Sequence, residues 1–273
     1  MSAGASVEIC KGSIVAASRK TYLILFALIS SGALAFFAAS PRSKSGRNPS
    51  EHVARRPAWR SSLDEAPPEV QEFLGRVFEK IPEHGAELTG YRFYDWEWDG
   101  RPTHEAMGFK AIRGLDPETL IARVMNVDSY VGNIPHVVVS RTLTDSEFKP
   151  PGKVRFYQRI RVPKIATIQH ELVLVDAGTI KGYRVAYWYL LKDRTKALDA
   201  GSGARSEYNV GAWLAAPGTV GYALSSWPGR EDVNALQWVS LTSGANALAK
   251  KVVEGNIDGM AAWSLKPTEL GLR

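Results

Sequence analysis

Apolar positions recur at Val70, Phe73, Leu74, Val77, Phe78 and Ile81, the i, i+3, i+4, i+7, i+8, i+11 spacing that gives a helix one buried stripe. Pro67 and Pro68 suit its first turn, Glu69 and Glu72 lie near its positive end, Arg76 and Lys80 lie near its negative end, and Pro82 closes it. Two strand-like runs, 88–98 and 103–113, follow on either side of Asp99-Gly100, a hairpin signal. Asp116 then reads as the cap of a second helix with Pro117 at its first position. Leu120, Ile121, Val124 and Met125 form its buried side, and it stops near Gly132. Beyond it the period changes to two. Strands are predicted near 136–144, 153–162, 165–176, 181–192, 206–215 and 218–227, mostly separated by short turns containing Gly, Pro or Asp. Such connections make an antiparallel meander, because parallel pairs need long crossovers. A helical pattern returns from about Val233 to Ser264, interrupted at Thr242-Ser243-Gly244, with Leu248, Ala249, Val252, Val253, Ile257 and Met260 on one face of its second part.

The predicted fold class is therefore α+β, a curved antiparallel sheet gripping a long C-terminal helix. Three stretches carry a more local resemblance: DPETLIARVMNVDSYVGNIPHVVVSRTL (116–143), VRFYQRIRVP (154–163) and TVGYALSSWPG (219–229). Together with the order of elements, they resemble the START branch of the Bet v 1-like superfamily (SRPBCC, helix-grip). That resemblance implies an apolar cavity between sheet and helix and a lipid or other hydrophobic small molecule as partner. Where mammalian lipid-transfer relatives carry an Arg-Asp pair, this chain reads Gln169-His170-Glu171, so no phospholipid or sterol assignment comes with it.

Alternation within the strands selects candidate ligand-binding residues. In 165–176, Ala166, Ile168, His170, Leu172 and Leu174 share one face, while Thr167, Gln169, Glu171 and Val173 share the other. His170 and Glu171 thus point apart and make a poor acid/base couple. Read in the same way, Val154, Phe156, Gln158 and Ile160 face inward. The inward sets of the next strands are Tyr183, Val185, Tyr187 and Tyr189, then Tyr208, Val210, Ala212 and Leu214, then Val220, Tyr222, Leu224 and Ser226. Asn256 shares the apolar side of the last helix. The candidate site is His170, Gln158, Tyr187, Tyr208, Tyr222 and Asn256. Each also has a plainer reading: a core histidine satisfied by a neighbour, tyrosines whose hydroxyls reach water, an asparagine bonded to strand backbone. Two rival functions stand beside ligand binding. One is an aromatase/cyclase-like enzyme on the same scaffold using His170 and a tyrosine; the other is an interaction module whose cavity is filled by its own side chains.

Charge and hydropathy divide the chain. Of the 34 Lys/Arg and 28 Asp/Glu, residues 1–63 hold nine and two, which leaves 25 and 26 beyond them. The remainder is near neutral and lacks the electrostatic footprint of a nucleic-acid binder. Residues 21–39 carry no charge and as a helix would measure about 28 Å, near the roughly 30 Å of a bilayer core. The expected organisation is a basic segment (1–20), a transmembrane helix or signal segment (21–39), a flexible basic linker (40–63) and a START-like domain (64–273). Membrane is then a second partner, and the distribution of basic residues favours a cytoplasmic domain. Ala33-Leu34-Ala35 supplies the alternative of cleavage followed by secretion or import.

Catalytic and cofactor motifs are not found. Cys10 is the only cysteine, and the histidines at 52, 84, 104, 136 and 170 show no paired helical spacing, so no metal site is expected. GSGAR (201–205) leads into a strand pattern without the Lys-Ser/Thr of a phosphate loop, and no G-x-S-x-G elbow occurs. Neither a cofactor nor a catalytic residue is assigned.

Overall fold

The register of one sheet explains most of the architecture. In a computed structural model, which describes residues 63–81, 90–98, 101–163, 165–243 and 245–267, eight strands pair in the order β1-β2-β8-β7-β6-β5-β4-β3. They are β1 (Gly90–Trp98), β2 (Arg101–Ala111), β3 (Val137–Thr142), β4 (Lys153–Val162), β5 (Ala166–Ile180), β6 (Tyr183–Leu190), β7 (Ala204–Ala216) and β8 (Thr219–Pro228). Strands β3 to β8 form the expected meander, and the β1–β2 hairpin joins its far side by pairing β2 with β8. One short parallel contact, Ile168 opposite Ala204, interrupts the antiparallel rule.

Helices cover both faces of the sheet. Helix α1 (Pro68–Lys80) buries Val70, Phe73, Leu74, Val77 and Phe78 completely, and these pack with Met107, Val185, Val210, Leu214 and their neighbours on what we call the outer face. On the inner face lie α2 (Pro117–Met125) and the terminal helix α5 (Ala245–Ser264), the latter contributing Val253, Ile257, Met260 and Trp263 to a second core. Two short helices are also present among the described residues, α3 (Lys192–Lys196) and α4 (Ala235–Ser243). The start of α2 is the one the sequence predicts: Asp116 accepts from the Thr119 amide at 2.8 Å, and Pro117 occupies the first turn.

Two local features set which residues face inward. Between Asp176 and Thr179, β5 advances three residues while β6 advances two, a bulge in which Gly178 takes φ +70°. The extra residue shifts the alternation by one. It places Ile180 and Tyr183 on the outer face although Leu172 and Leu174, earlier on the same strand, face inward. Arg184 fastens the bulge by donating to both carboxylate oxygens of Asp176 at 3.0 Å. The second feature is Gly211. A Cβ there would stand 2.0 Å from Trp188 Cζ2, so only glycine lets the indole lie against β7.

The expected architecture needs one correction. Among the described residues no helix is long and apolar enough to cross a membrane, and the 21–39 span lies outside them. The N-terminal transmembrane helix, the membrane as partner and the single-pass localisation are accordingly withdrawn from the fold and from the functional reading. The other N-terminal segments, 1–20 and 40–63, also lie outside the described residues apart from Leu63.

Candidate functional site

Because the inner face carries its side chains toward α5 without filling the space beneath it, a cavity of about 780 Å³ remains. Its walls come from β4 and β5 (Phe156, Ile168, Leu172), from β6 to β8 (Trp188, Trp213, Tyr222), and from Leu248, Ala249 and Val252 of α5. Helix α4 closes one side with Trp238 and Leu241. Its opposite side leaves Leu236 77% and Val239 56% exposed. Gln237 ties α4 to the turn before β5 by donating to the Ile165 carbonyl at 2.8 Å, and Arg230 lies over the Trp238 ring at 5.3 Å. The chain segment leading into α4 is clasped by Arg205, whose Nε and Nη2 each meet a carboxylate oxygen of Asp232 at 2.6 Å.

Polar atoms in the cavity gather around His170. Its residue pairs with Gln158 across β4–β5, so both side chains stand on the inner face, and the ring is 1% exposed. Trp188 Nε1 donates to Asn209 Oδ1 at 2.8 Å; Asn209 Nδ2 lies 3.4 Å from His170 Nδ1; Ser206 Oγ lies 3.0 Å from the same nitrogen; His170 Nε2 lies 3.1 Å from Gln158 Oε1. An indole N–H only donates, so it turns the oxygen of Asn209 toward itself and the amide nitrogen toward His170. His170 Nδ1 must then accept, and the proton sits on Nε2, from which it is donated to Gln158. Burial pushes the imidazole pKa down to about 3, so the ring is neutral near pH 7. Asn256 bonds the Tyr222 hydroxyl, whose pKa burial raises.

Four of the six expected site residues, His170, Gln158, Tyr222 and Asn256, line this one cavity. Tyr187 and Tyr208 do not. They stand on the outer face in the core that α1 covers, because the β5 bulge sets β6, and the register of β6 and β8 sets β7, one step away from the expected phase. The inward residues of those strands are instead Trp188, Asn209 and Trp213, which the sequence reading missed. A usable signal existed: the two-residue connection from Ala216 to Thr219 puts Trp213 opposite Tyr222, and opposite residues share a face. Glu171 points away from His170 as expected and takes two bonds from Arg155, at 2.6 and 3.1 Å. Among the described residues no group of His, Cys, Asp or Glu is arranged to hold a metal ion.

No protein-family model matches the chain, and no curated protein matches it in sequence. Solved structures align with it in backbone geometry. A STAR-related lipid transfer protein fragment from Xanthomonas axonopodis aligns with 64% of this chain and 93% of its own, at 13% identity and a TM-score of 0.49. Human STARD10 aligns over 73% of this chain and 81% of its own, at 15% identity and 0.47. The lipid transfer and protein localization domain of human StarD13 aligns over 71% and 97%, at 11% identity and 0.41. At these values nothing those proteins bind or do is carried over to this chain.

Proposed function

The chain has the helix-grip fold of the START-like / Bet v 1-like superfamily, evident in its own strand order and terminal helix, and from that premise we propose that it binds an apolar small molecule between the sheet and helices α4 and α5. The observation that carries the reading is the cavity itself. Its volume of about 780 Å³ lies within the roughly 300–1,000 Å³ of small-molecule sites, and its walls are mainly aromatic and aliphatic with a few placed polar groups. A cavity of that size also argues against a module filled by its own side chains, since interiors otherwise pack nearly without voids.

The chemistry at His170 supports binding over proton transfer. A general base works best with a pKa near the working pH, whereas this ring is held neutral with both nitrogens engaged. It orients its neighbours and does not titrate near neutrality.

The test is native mass spectrometry of the purified full chain, followed by solvent extraction and identification of what it releases. Adducts of discrete small-molecule mass that disappear on extraction are expected. A chain that stays empty after incubation with a mixed lipid extract would count against the proposal.

A further inference from the structure

The direction of the hydrogen bonds around His170 says something about the guest. Donors run from the Trp188 indole to Asn209, from Asn209 and Ser206 to His170, and from His170 to Gln158. The relay ends on Gln158 Oε1, which leaves the amide nitrogen of the same side chain as its terminal donor. Gln158 is 8% exposed and lines the cavity, and among the described residues Nε2 has no hydrogen-bond partner. Ser140, paired with Gln158 across β3–β4, has a buried hydroxyl that likewise lacks a partner among the described residues. That amide N–H opens onto the cavity Gln158 lines, where it is available to donate to an acceptor on a guest.

Charge around the cavity narrows the guest further. Among the described lining residues Arg230 is the one arginine or lysine, and it is already engaged, with Nη1 donating to the Val233 carbonyl at 2.9 Å and the guanidinium lying over Trp238. Two carboxylates, Glu207 and Glu231, share the lining with it. With two carboxylates against one arginine, the lining carries an excess of negative charge, which disfavours a carboxylate or phosphate guest.

We infer that the guest is an uncharged apolar molecule bearing a carbonyl-type acceptor, as in a ketone, ester or amide, and that this oxygen accepts from the Gln158 amide. The inference rests on the cavity being a binding site and adds the chemical class of what it takes. The aromatic walls supply dispersion contacts, and the Gln158 donor fixes which end enters first. Anionic amphiphiles of the same length are discriminated against.

Tryptophan-fluorescence titrations of the full chain at pH 8 with three probes of matched length test this: a long-chain methyl ketone, the corresponding alkane, and the corresponding carboxylate, each delivered from cyclodextrin. The ketone is expected to bind at least about tenfold more tightly than the carboxylate. Gln158→Met is expected to weaken the ketone relative to the alkane by about 2- to 10-fold. Should that variant not fold, the ¹⁵N–¹H resonances of the Gln158 side chain in the unaltered chain carry the same information, moving with the ketone and staying still with the alkane. A carboxylate that binds as tightly as the ketone, or Gln158 resonances indifferent to the ketone, overturns the inference while leaving the cavity a binding site. Failure of all three probes overturns both.

Discussion

His170 lets the packing of the cavity floor be read as a dependence of stability on pH. The ring is 1% exposed, and burial depresses its folded pKa to about 3 from an ordinary 6.5. Between those values the unfolded chain binds a proton that the folded chain refuses, so stability falls as pH drops through 6.5 and continues to fall until about 3. Each pH unit in that window removes about 1.4 kcal/mol, and at pH 4 the accumulated loss is about 3 kcal/mol. That is a large fraction of the roughly 5–15 kcal/mol of a typical domain. Other groups titrate over the same range, so the measurement is a difference. Urea unfolding at pH 7, 6, 5 and 4 would be run on the unaltered chain and on His170→Gln, which keeps a polar side chain and cannot gain a proton. At pH 7 the variant should be less stable by about 1–3 kcal/mol, the cost of unmaking buried hydrogen bonds. The gap should close by about 3 kcal/mol on going to pH 4, because only the unaltered chain pays for keeping histidine neutral. Two curves that stay parallel, or an imidazole that titrates near 6.5 by NMR, would refute the reasoning about burial.

Three further expectations follow from particular contacts. Gly211→Ala drives a Cβ to 2.0 Å from the Trp188 ring and 2.6 Å from the Ala223 carbonyl, so thermal unfolding should show a loss of at least about 1–3 kcal/mol and the tryptophan emission should change. Tyr222→Phe removes the hydroxyl that Asn256 bonds and should alter guest affinity in the fluorescence titration, whereas Tyr187→Phe and Tyr208→Phe, under α1, should leave it unchanged. Glu105 is fully buried beside Arg76 and Lys80, and burial raises its pKa despite both cations. Its ionisation therefore lowers stability as pH rises through its folded pKa. Compared with Glu105→Gln in chemical denaturation, the unaltered chain should lose ground with increasing pH; a gap that widens in its favour would contradict this.

How far the sequence reveals the site depends on whether hydrophobicity can choose a face. In β4 and β5 it can: Arg155 and Glu171 pair on one side while Phe156 and Leu172 are buried on the other, so His170 and Gln158 are correctly turned inward. In β6 and β7 it cannot. Helix α1 covers their outer face, both sides are dry, and Val185 and Ala186 or Val210 and Gly211 are equally plausible inward neighbours. Only register decides there, and register depends on the bulge at Asp176–Thr179, which a run reading VDAGTI announces only through its glycine. Missing it exchanged Tyr187 for Trp188 and Tyr208 for Asn209. The helices were easier. Their stripes, the Asp116 cap and the break before α5 depend on local residues alone. The apolar 21–39 stretch lies outside the described residues, and among those no helix is long and apolar enough to cross a membrane.

The account turns on whether the space under α4 and α5 accepts a guest, and the direct measurement is a titration of the full chain with a neutral apolar fluorophore such as Nile red, alongside Ala106→Trp. Ala106 is buried in the cavity wall, so an indole at that position occupies the room a guest would need. One saturable site in the unaltered chain, weakened at least about tenfold in a variant with an unchanged circular dichroism spectrum, is the result expected of a binding cavity. Equal binding by both chains would place the dye elsewhere and contradict the account.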